Sequence, residues 1–214
     1  MARTPGILIT LEGGEGAGKS VQLDALARRI EGAGRAVVRA REPGGTALGE
    51  RLREVLLDLS PAGPTAIDPL SETFLFVAAR AELVTQVIAP ALDRGDVVLC
   101  DRFADSTVAY QGYGRGVDLA LVQQLNAAAT RGLVPALTVL LDLPPAQGLE
   151  RTGAAGQADR FGREALAYHE RVRDGYLQLA AREPDRWLIV DAARSVSDVT
   201  QAIWQRLEPL LAPR

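Results

Sequence analysis

The sequence predicts an α/β fold in which a five-stranded parallel sheet carries helices on both faces. Three observations lead there. Short apolar runs alternate with segments whose apolar residues recur at helical spacing, the pattern of a parallel sheet wrapped in crossover helices. The first run, residues 6–11, leads directly into a glycine-rich turn and then a helix. Residues able to do chemistry gather just past the ends of the runs, and ligands of such sheets bind outside the carboxyl ends of the strands.

Taken in order, residues 6–11 (Gly-Ile-Leu-Ile-Thr-Leu) are long enough for one buried strand. Leu23, Leu26, Ala27 and Ile30 then mark one face of a first helix that ends near Gly32 and Gly34. Residues 36–40 read as the second strand, with the turn Arg41-Glu-Pro-Gly-Gly-Thr46 at its carboxyl end. Leu48, Leu52, Val55, Leu56 and Leu59 hold helical spacing, and a Pro/Gly-rich loop over 61–69 closes that segment. A longer helix is expected over about 71–91, carrying Phe74, Phe76 and Arg80. The third strand, 97–100, ends at Asp101-Arg102; residues 103–116 show little periodicity but hold Ser106, Tyr110, Gln111 and Arg115. A helix over about 118–131, a fourth strand over 136–141 ending at Asp142, and a short helix leading to Arg151 follow. Residues 152–162 are small and polar, the composition of a mobile arm. A helix over about 163–182, a fifth strand over 187–190 and a last helix from about Ser197 complete the pattern. With no internal repeat and no linker, one domain over 1–214 is expected.

From Gly13 to Ser20 the chain reads Gly-Gly-Glu-Gly-Ala-Gly-Lys-Ser, the phosphate-binding pattern Gly-x-x-x-x-Gly-Lys-Ser. Gly13, Gly14, Gly16 and Gly18, with Glu15 and Ala17 between them, let consecutive backbone N–H groups curl round a phosphate without Cβ clashes. The following helix aims its positive end at the same anion. Lys19 supplies a mobile charge for the β- and γ-phosphates, and the Ser20 hydroxyl is a ligand for Mg²⁺. The chain has 24 Lys plus Arg, yet Lys19 is its only lysine, so one position has resisted the bias toward arginine. An ammonium and a guanidinium are not interchangeable in a tight phosphate loop. Asp101 and Asp142 both end apolar strands, as a metal carboxylate or a structural cap does. Arg102, immediately after Asp101, favours Asp101, because a metal carboxylate beside an anion clamp suits phosphoryl transfer.

Composition narrows the rest. A net charge of −3 leaves no footprint for nucleic acid or an anionic membrane, and no apolar stretch approaching a membrane span is expected. The lone Cys100, inside an apolar run, excludes an internal disulfide and fits a reducing, cytoplasmic setting. With His169 the single histidine, zinc sites and Cys/His catalysis are excluded, so the reaction must run on Asp, Glu, Arg, Lys and a metal. A GTP-dependent switch would need Asn-Lys-x-Asp, and the only lysine is already in the phosphate loop. Another nucleotide kinase, or an ATPase without an acceptor, shares the loop and stays open at this point.

The block over 99–111 (Leu-Cys-Asp-Arg-Phe-Ala-Asp-Ser-Thr-Val-Ala-Tyr-Gln), the loop from Glu12 to Ser20, the turn from Arg41 to Thr46, Phe76-x-x-x-Arg80 and Asp191-Ala-Ala-Arg-Ser195 together resemble the thymidylate kinase family. The resemblance implies the P-loop nucleotide-kinase fold with a mobile lid at about 151–163, a homodimer, and transfer of the γ-phosphoryl of ATP to dTMP with Mg²⁺. It implies that Asp101 helps hold Mg²⁺, that Arg102 grips the dTMP phosphate, that Phe76 stacks on the thymine and that Arg80 donates to a thymine carbonyl. Thr107 and Tyr110 would line sugar and base, Tyr110 crowding out a 2′-hydroxyl, and Glu15 would sit near the 3′-hydroxyl and acceptor phosphate. Arg41, Pro43 and Gln111 fall in the matched substrate segments, and Arg194 lies where the adenine-contacting segment runs. From the residues alone, Phe76 equally suits a core position, Thr107 and Tyr110 a packed loop, and Arg194 a solvated surface.

One departure matters. Some family members place an arginine in the phosphate loop where this chain has Gly16, so the cation is expected from the lid, as in the bacterial class. Gly153 and Ala155 stand where that class would carry arginine, leaving Arg151, Arg160 and Arg163. Arg160, at the far end of the small-residue arm, is the first choice; Arg151 is the second, and Arg163 reads as a solvated helix-start residue.

Overall fold

The computed structural model describes residues 5–58, 67–154 and 159–212. Leu59, most of the Pro/Gly-rich loop and positions 155–158 of the expected arm lie outside the described residues. Five strands, β1 (Ile7–Glu12), β2 (Val37–Arg41), β3 (Val97–Asp101), β4 (Leu137–Asp142) and β5 (Trp187–Asp191), form one parallel sheet in the order β2-β3-β1-β4-β5. All five expected strands are present within a residue or two of their expected ends. The strand order reverses at β1, so the crevice outside its carboxyl end is the switch point where such sheets bind ligands.

Both faces of the central strands are buried, as their near-continuous apolar sequences require. On one face α1 (Lys19–Gly32) and the last helix, α9 (Val196–Leu211), pack Leu26, Ile30, Ile203 and Leu207 against Ile9, Leu99 and Val139. On the other, α3 (Pro69–Leu83) runs through a π-helical turn, Val84–Ile88, into α4 (Ala89–Arg94), covering Leu8, Val98 and Cys100. α2 (Ala47–Leu57) lies beside α3. α5 (Ala104–Thr107) and α6 (Leu119–Thr130) pack against α3, and α7 (Pro145–Ala154) lies beside α8 (Leu166–Arg182). Tyr176 and Leu179 of α8 pack with Leu140 and Trp187 of the sheet.

Two local readings are corrected. The aperiodic stretch over 103–116 is helical: α5 passes into a π-helical segment, Val108–Gly114. A π-turn widens the repeat beyond 3.6 residues, so an apolar stripe at ordinary helical spacing cannot form. The Pro69–Arg94 rod reaches a mean hydropathy of 1.5 over an 18-residue window and is long and apolar enough to cross a membrane, where no such stretch was expected. Leu83, Val84, Ile88 and Ala91 pack against the sheet, Glu72 and Arg80 are buried with charged partners, and Leu70 and Phe74 stay exposed. With 33% of that window buried, it is the two buried ion pairs that mark a helix packed into the protein. Cys100 is fully buried, with its thiol donating to the Arg102 carbonyl (3.1 Å), the environment of a core residue.

Candidate active site

A cavity of ≈ 510 Å³ opens outside the carboxyl ends of β1, β2 and β3. At one end lies the phosphate loop. Gly16 has φ +65°, and a Cβ there would lie 2.3 Å from the Gly148 carbonyl oxygen of α7. No side chain fits, so an arginine at this position is sterically closed off as well as absent. Lys19 is buried and donates to the carbonyls of Gly13 (3.1 Å) and Gly14 (2.9 Å). Burial and the nearby Arg102 charge lower its pKa, against the opposing pull of Asp101 and Glu15. The Ser20 hydroxyl donates to Asp101 Oδ2 at 3.0 Å, bringing two hard oxygen ligands together at the cavity wall.

Arg102 marks the middle of the cavity. It takes a left-handed backbone (φ +67°), costly for a residue with a side chain and held by its N–H donating to the Leu11 carbonyl at 3.0 Å. Its guanidinium donates to the Gly13 carbonyl (2.8 Å) and to Glu15 Oε1 (2.8 Å), and lies 4.8 Å from the centre of the Tyr110 ring. The Tyr110 hydroxyl donates to the same Glu15 oxygen at 2.9 Å. Burial alone would lift the Glu15 carboxyl, but Arg102 and Lys19 outweigh it and hold its pKa below the ordinary carboxylate value. Behind this group, the fully buried Glu12 accepts from the Phe103 N–H (2.8 Å), Ser106 Oγ (2.5 Å) and Tyr176 OH (3.0 Å). Burial, reinforced by Asp105, pushes its pKa up to about 8.

The other end is aromatic. Phe76 and Phe161 lie 5.8 Å apart, and Tyr110 meets Phe161 edge-on at 5.8 Å. Thr107, Gln111, Pro43 and Arg41 also line the cavity. Arg80, expected as a free donor to a base, is 1% exposed and heavily engaged. It donates to Glu42 through Nε (2.9 Å) and Nη2 (2.5 Å), to Asn126 Oδ1 (2.6 Å), to Thr107 Oγ1 (2.8 Å) and to the Phe103 carbonyl (3.2 Å). It still borders the cavity, but as the buried half of an ion pair. Arg41 pairs with Glu50 at 2.7 Å at the exposed rim.

Two expected residues are not brought in. Arg160, the first choice for the lid cation, donates to the Leu56 carbonyl (2.8 Å) and to Glu72 Oε2 (2.5 Å) and does not line the cavity. A buried carboxylate on α3, remote in sequence, has captured it. Arg194 is exposed between β5 and α9, away from the cavity. The second choice, Arg151, does line it, with Nη1 3.4 Å from the Gly16 carbonyl and 3.3 Å from that of Ala192. Arg163 is exposed, as expected. Sequence reasoning missed Arg53, which lines the cavity and donates to the Pro43 carbonyl (3.0 Å), and Phe161, the second aromatic wall. Arg53 had no motif to mark it. Phe161 stands beside Arg160 in the only ordered-looking part of the arm, which was a usable signal.

A profile of the thymidylate kinase family matches residues 11–203 of the chain. The chain is 54% identical over 199 residues to a thymidylate kinase of Deinococcus radiodurans, covering 93% of this chain and 95% of that one. It is 52% identical over 212 residues to one of Solidesulfovibrio magneticus, covering 96% and 100%. Among solved structures it is similar to the crystal structure of thymidylate kinase from Ehrlichia chaffeensis, with a TM-score of 0.76 and 32% identity over 95% of this chain and 99% of that one.

Proposed function

The chain belongs to the thymidylate kinase family, and from that premise we infer how its cavity performs the family's reaction. The protein is an ATP-dependent phosphotransferase that converts dTMP to dTDP, a step in dTTP synthesis. One observation carries the assignment of roles: a single cavity joins a phosphate loop to an aromatic recess, with Arg102 between them. A nucleoside monophosphate fits that layout with its base in the recess and its phosphate on Arg102.

In this reading the backbone N–H groups of Gly13 to Ser20 hold the phosphates of ATP, and Lys19 turns from the Gly13 and Gly14 carbonyls to the β- and γ-phosphates. Arg102 orients the dTMP phosphate so that one of its oxygens faces the γ-phosphorus. Glu15, held by Arg102 and Tyr110, meets the sugar edge, and Tyr110 fills the space a 2′-hydroxyl would need. Phe76 and Phe161, in tilted contact with each other, form one aromatic wall for the base, with Thr107, Gln111 and Arg80 along its polar edge. Ser20 and Asp101 fit Mg²⁺, whose preference is for hard oxygens and few protein ligands. Bound there with ATP, the ion would neutralise charge on the phosphates. Arg151 takes over the lid-cation role first expected of Arg160, because it already faces the phosphate loop. Residues 151–163 act as the lid of a single kinase domain. Arg194 is left as an exposed residue outside the cavity lining.

The finer assignments extend to assembly and setting. Leu48 and Val55 on α2 and Leu70 and Phe74 on α3 are exposed apolar residues on neighbouring helices, which supports a homodimer through this face; light scattering of the purified protein checks it. A lone, buried cysteine supports a cytoplasmic setting. ADP release measured with each nucleoside monophosphate in turn tests the function. dTMP should be the preferred acceptor, and Lys19→Arg should lose at least ~100-fold in kcat with the fold intact. ADP release independent of any acceptor would overturn the kinase reading.

A further inference from the structure

Glu72 on α3 is fully buried between Arg115 and Arg160 and is absent from the roles above. Gln111 Nε2 donates to its Oε1 at 2.9 Å. Arg115 Nε reaches the same oxygen at 3.2 Å, and Arg160 Nη2 reaches Oε2 at 2.5 Å. A buried carboxylate must be paired, and two guanidiniums do that here without Gln111. The Gln111 contact therefore adds something besides charge balance. A carboxylate only accepts, so Gln111 must turn its NH₂ group toward Glu72. Its carbonyl oxygen, without a partner among the described residues, is left for the cavity that Gln111 lines.

We propose that Glu72 is a specificity-determining positioning residue: it locks the Gln111 carboxamide so that only a carbonyl acceptor is offered to the base. Thymine presents an N3–H donor at its pairing edge, whereas cytosine presents a bare N3 acceptor that a fixed carbonyl repels. Uracil shares the N3–H, so this device separates dTMP from dCMP and is blind to dUMP. Arg160 extends the arrangement. The far end of the lid is anchored on the same carboxylate that sets the base reader, so base recognition and lid anchoring share one buried group.

The inference rests on the dTMP kinase reading, and the test separates the two. kcat/KM is measured with dTMP, dUMP and dCMP for the parent, Glu72→Gln, Gln111→Met and the double variant, with circular dichroism to verify folding. Glu72→Gln gives Gln111 a partner that both donates and accepts, so the carboxamide can turn over. The dTMP-to-dCMP ratio should fall at least ~10-fold while the dTMP-to-dUMP ratio stays within about 2-fold. The double variant should match Gln111→Met alone, because the effect runs through Gln111. A parent inactive on dTMP overturns the function reading and this inference with it. A parent active on dTMP overturns this inference alone if it accepts dCMP as well. The same holds if folded Glu72→Gln keeps the parental ratio, or if all three substrates decline in parallel. Should Glu72→Gln not fold, Gln111→Met decides: a retained dTMP-to-dCMP ratio overturns the proposal and a ~10-fold fall supports it.

Discussion

Arg80 shows why a residue's role in recognition cannot be separated from its role in folding. A functional arginine beside Phe76 was legible in the sequence as one half of Phe76-x-x-x-Arg80. What was not legible is that Glu42, 38 positions away, would claim its Nε and Nη2 groups, because a partner supplied by the tertiary fold leaves no local pattern. Both side chains are almost fully buried, at 1% and 3% exposure. Removing one member of such a pair strands the other charge in a low-dielectric interior, typically at about 3–5 kcal/mol. Arg80→Ala should therefore unfold at lower denaturant concentration by an amount of that order, in addition to losing activity. Replacing Glu42 as well should recover stability without recovering activity: Arg80→Ala with Glu42→Gln is expected to regain about half or more of the loss. Urea denaturation of the parent, the two single variants and the double variant checks this. A stable Arg80→Ala would mean the pair contributes little and the arginine acts on substrate alone.

The packing of the elements supports Arg151 over Arg160 as the proposed lid cation. Periodicity made α1, α6, α8 and α9 readable to within a few residues, and apolar runs marked the strands, most plainly β1, β3 and β4, whose burial on both faces leaves an unbroken signature. The π-helical segment Val108–Gly114 broke that rule, and the lid fell to a guess from composition. Packing supports a choice that composition could not make. A Cβ on Gly148 would lie 2.1 Å from the Glu15 carbonyl oxygen, so this glycine lets α7 press its first turns against the phosphate loop. Arg151 stands three residues further on, one turn along the same helix face, and so meets the Gly16 carbonyl. Arg160 is tied instead to α2 and α3 through Leu56 and Glu72. Arg151→Ala should lower kcat about 10²–10³-fold, the range for loss of one preorganised donor to transition-state charge. Its dTMP KM should move far less. Arg160→Ala should keep kcat within roughly 10-fold, since its contacts hold structure outside the reacting centre. Steady-state kinetics of the two variants side by side decide between them, and the reverse ranking would return the role to Arg160.

At the scale of the whole molecule, one proton is shared by the sheet and the helices that close over it. Glu12 ends the central strand β1, yet its carboxyl is bonded by the Phe103 N–H after β3, by Ser106 of α5 and by Tyr176 of α8. Asp105, paired with Arg186 at 2.7 Å, adds negative charge nearby. Burial is the larger cause, and together they raise the Glu12 pKa from 4.5 to about 8. The folded chain thus binds this proton more tightly than the unfolded chain, so folding takes up a proton between those two values. The resulting stability is complete below about pH 4.5, declines as pH rises, and is lost through about pH 8. Other groups titrate over the same range, but a Glu12→Gln variant keeps them and removes only this proton. The melting temperature of the parent relative to Glu12→Gln should therefore fall between pH 5.5 and 8.5, by at least ~2 °C for a chain of this size. Both proteins should keep the same far-ultraviolet circular dichroism. If the two melting curves shift in parallel across that range, Glu12 is ionised throughout, and the junction of β1, α5 and α8 rests on a carboxylate held by its three donors.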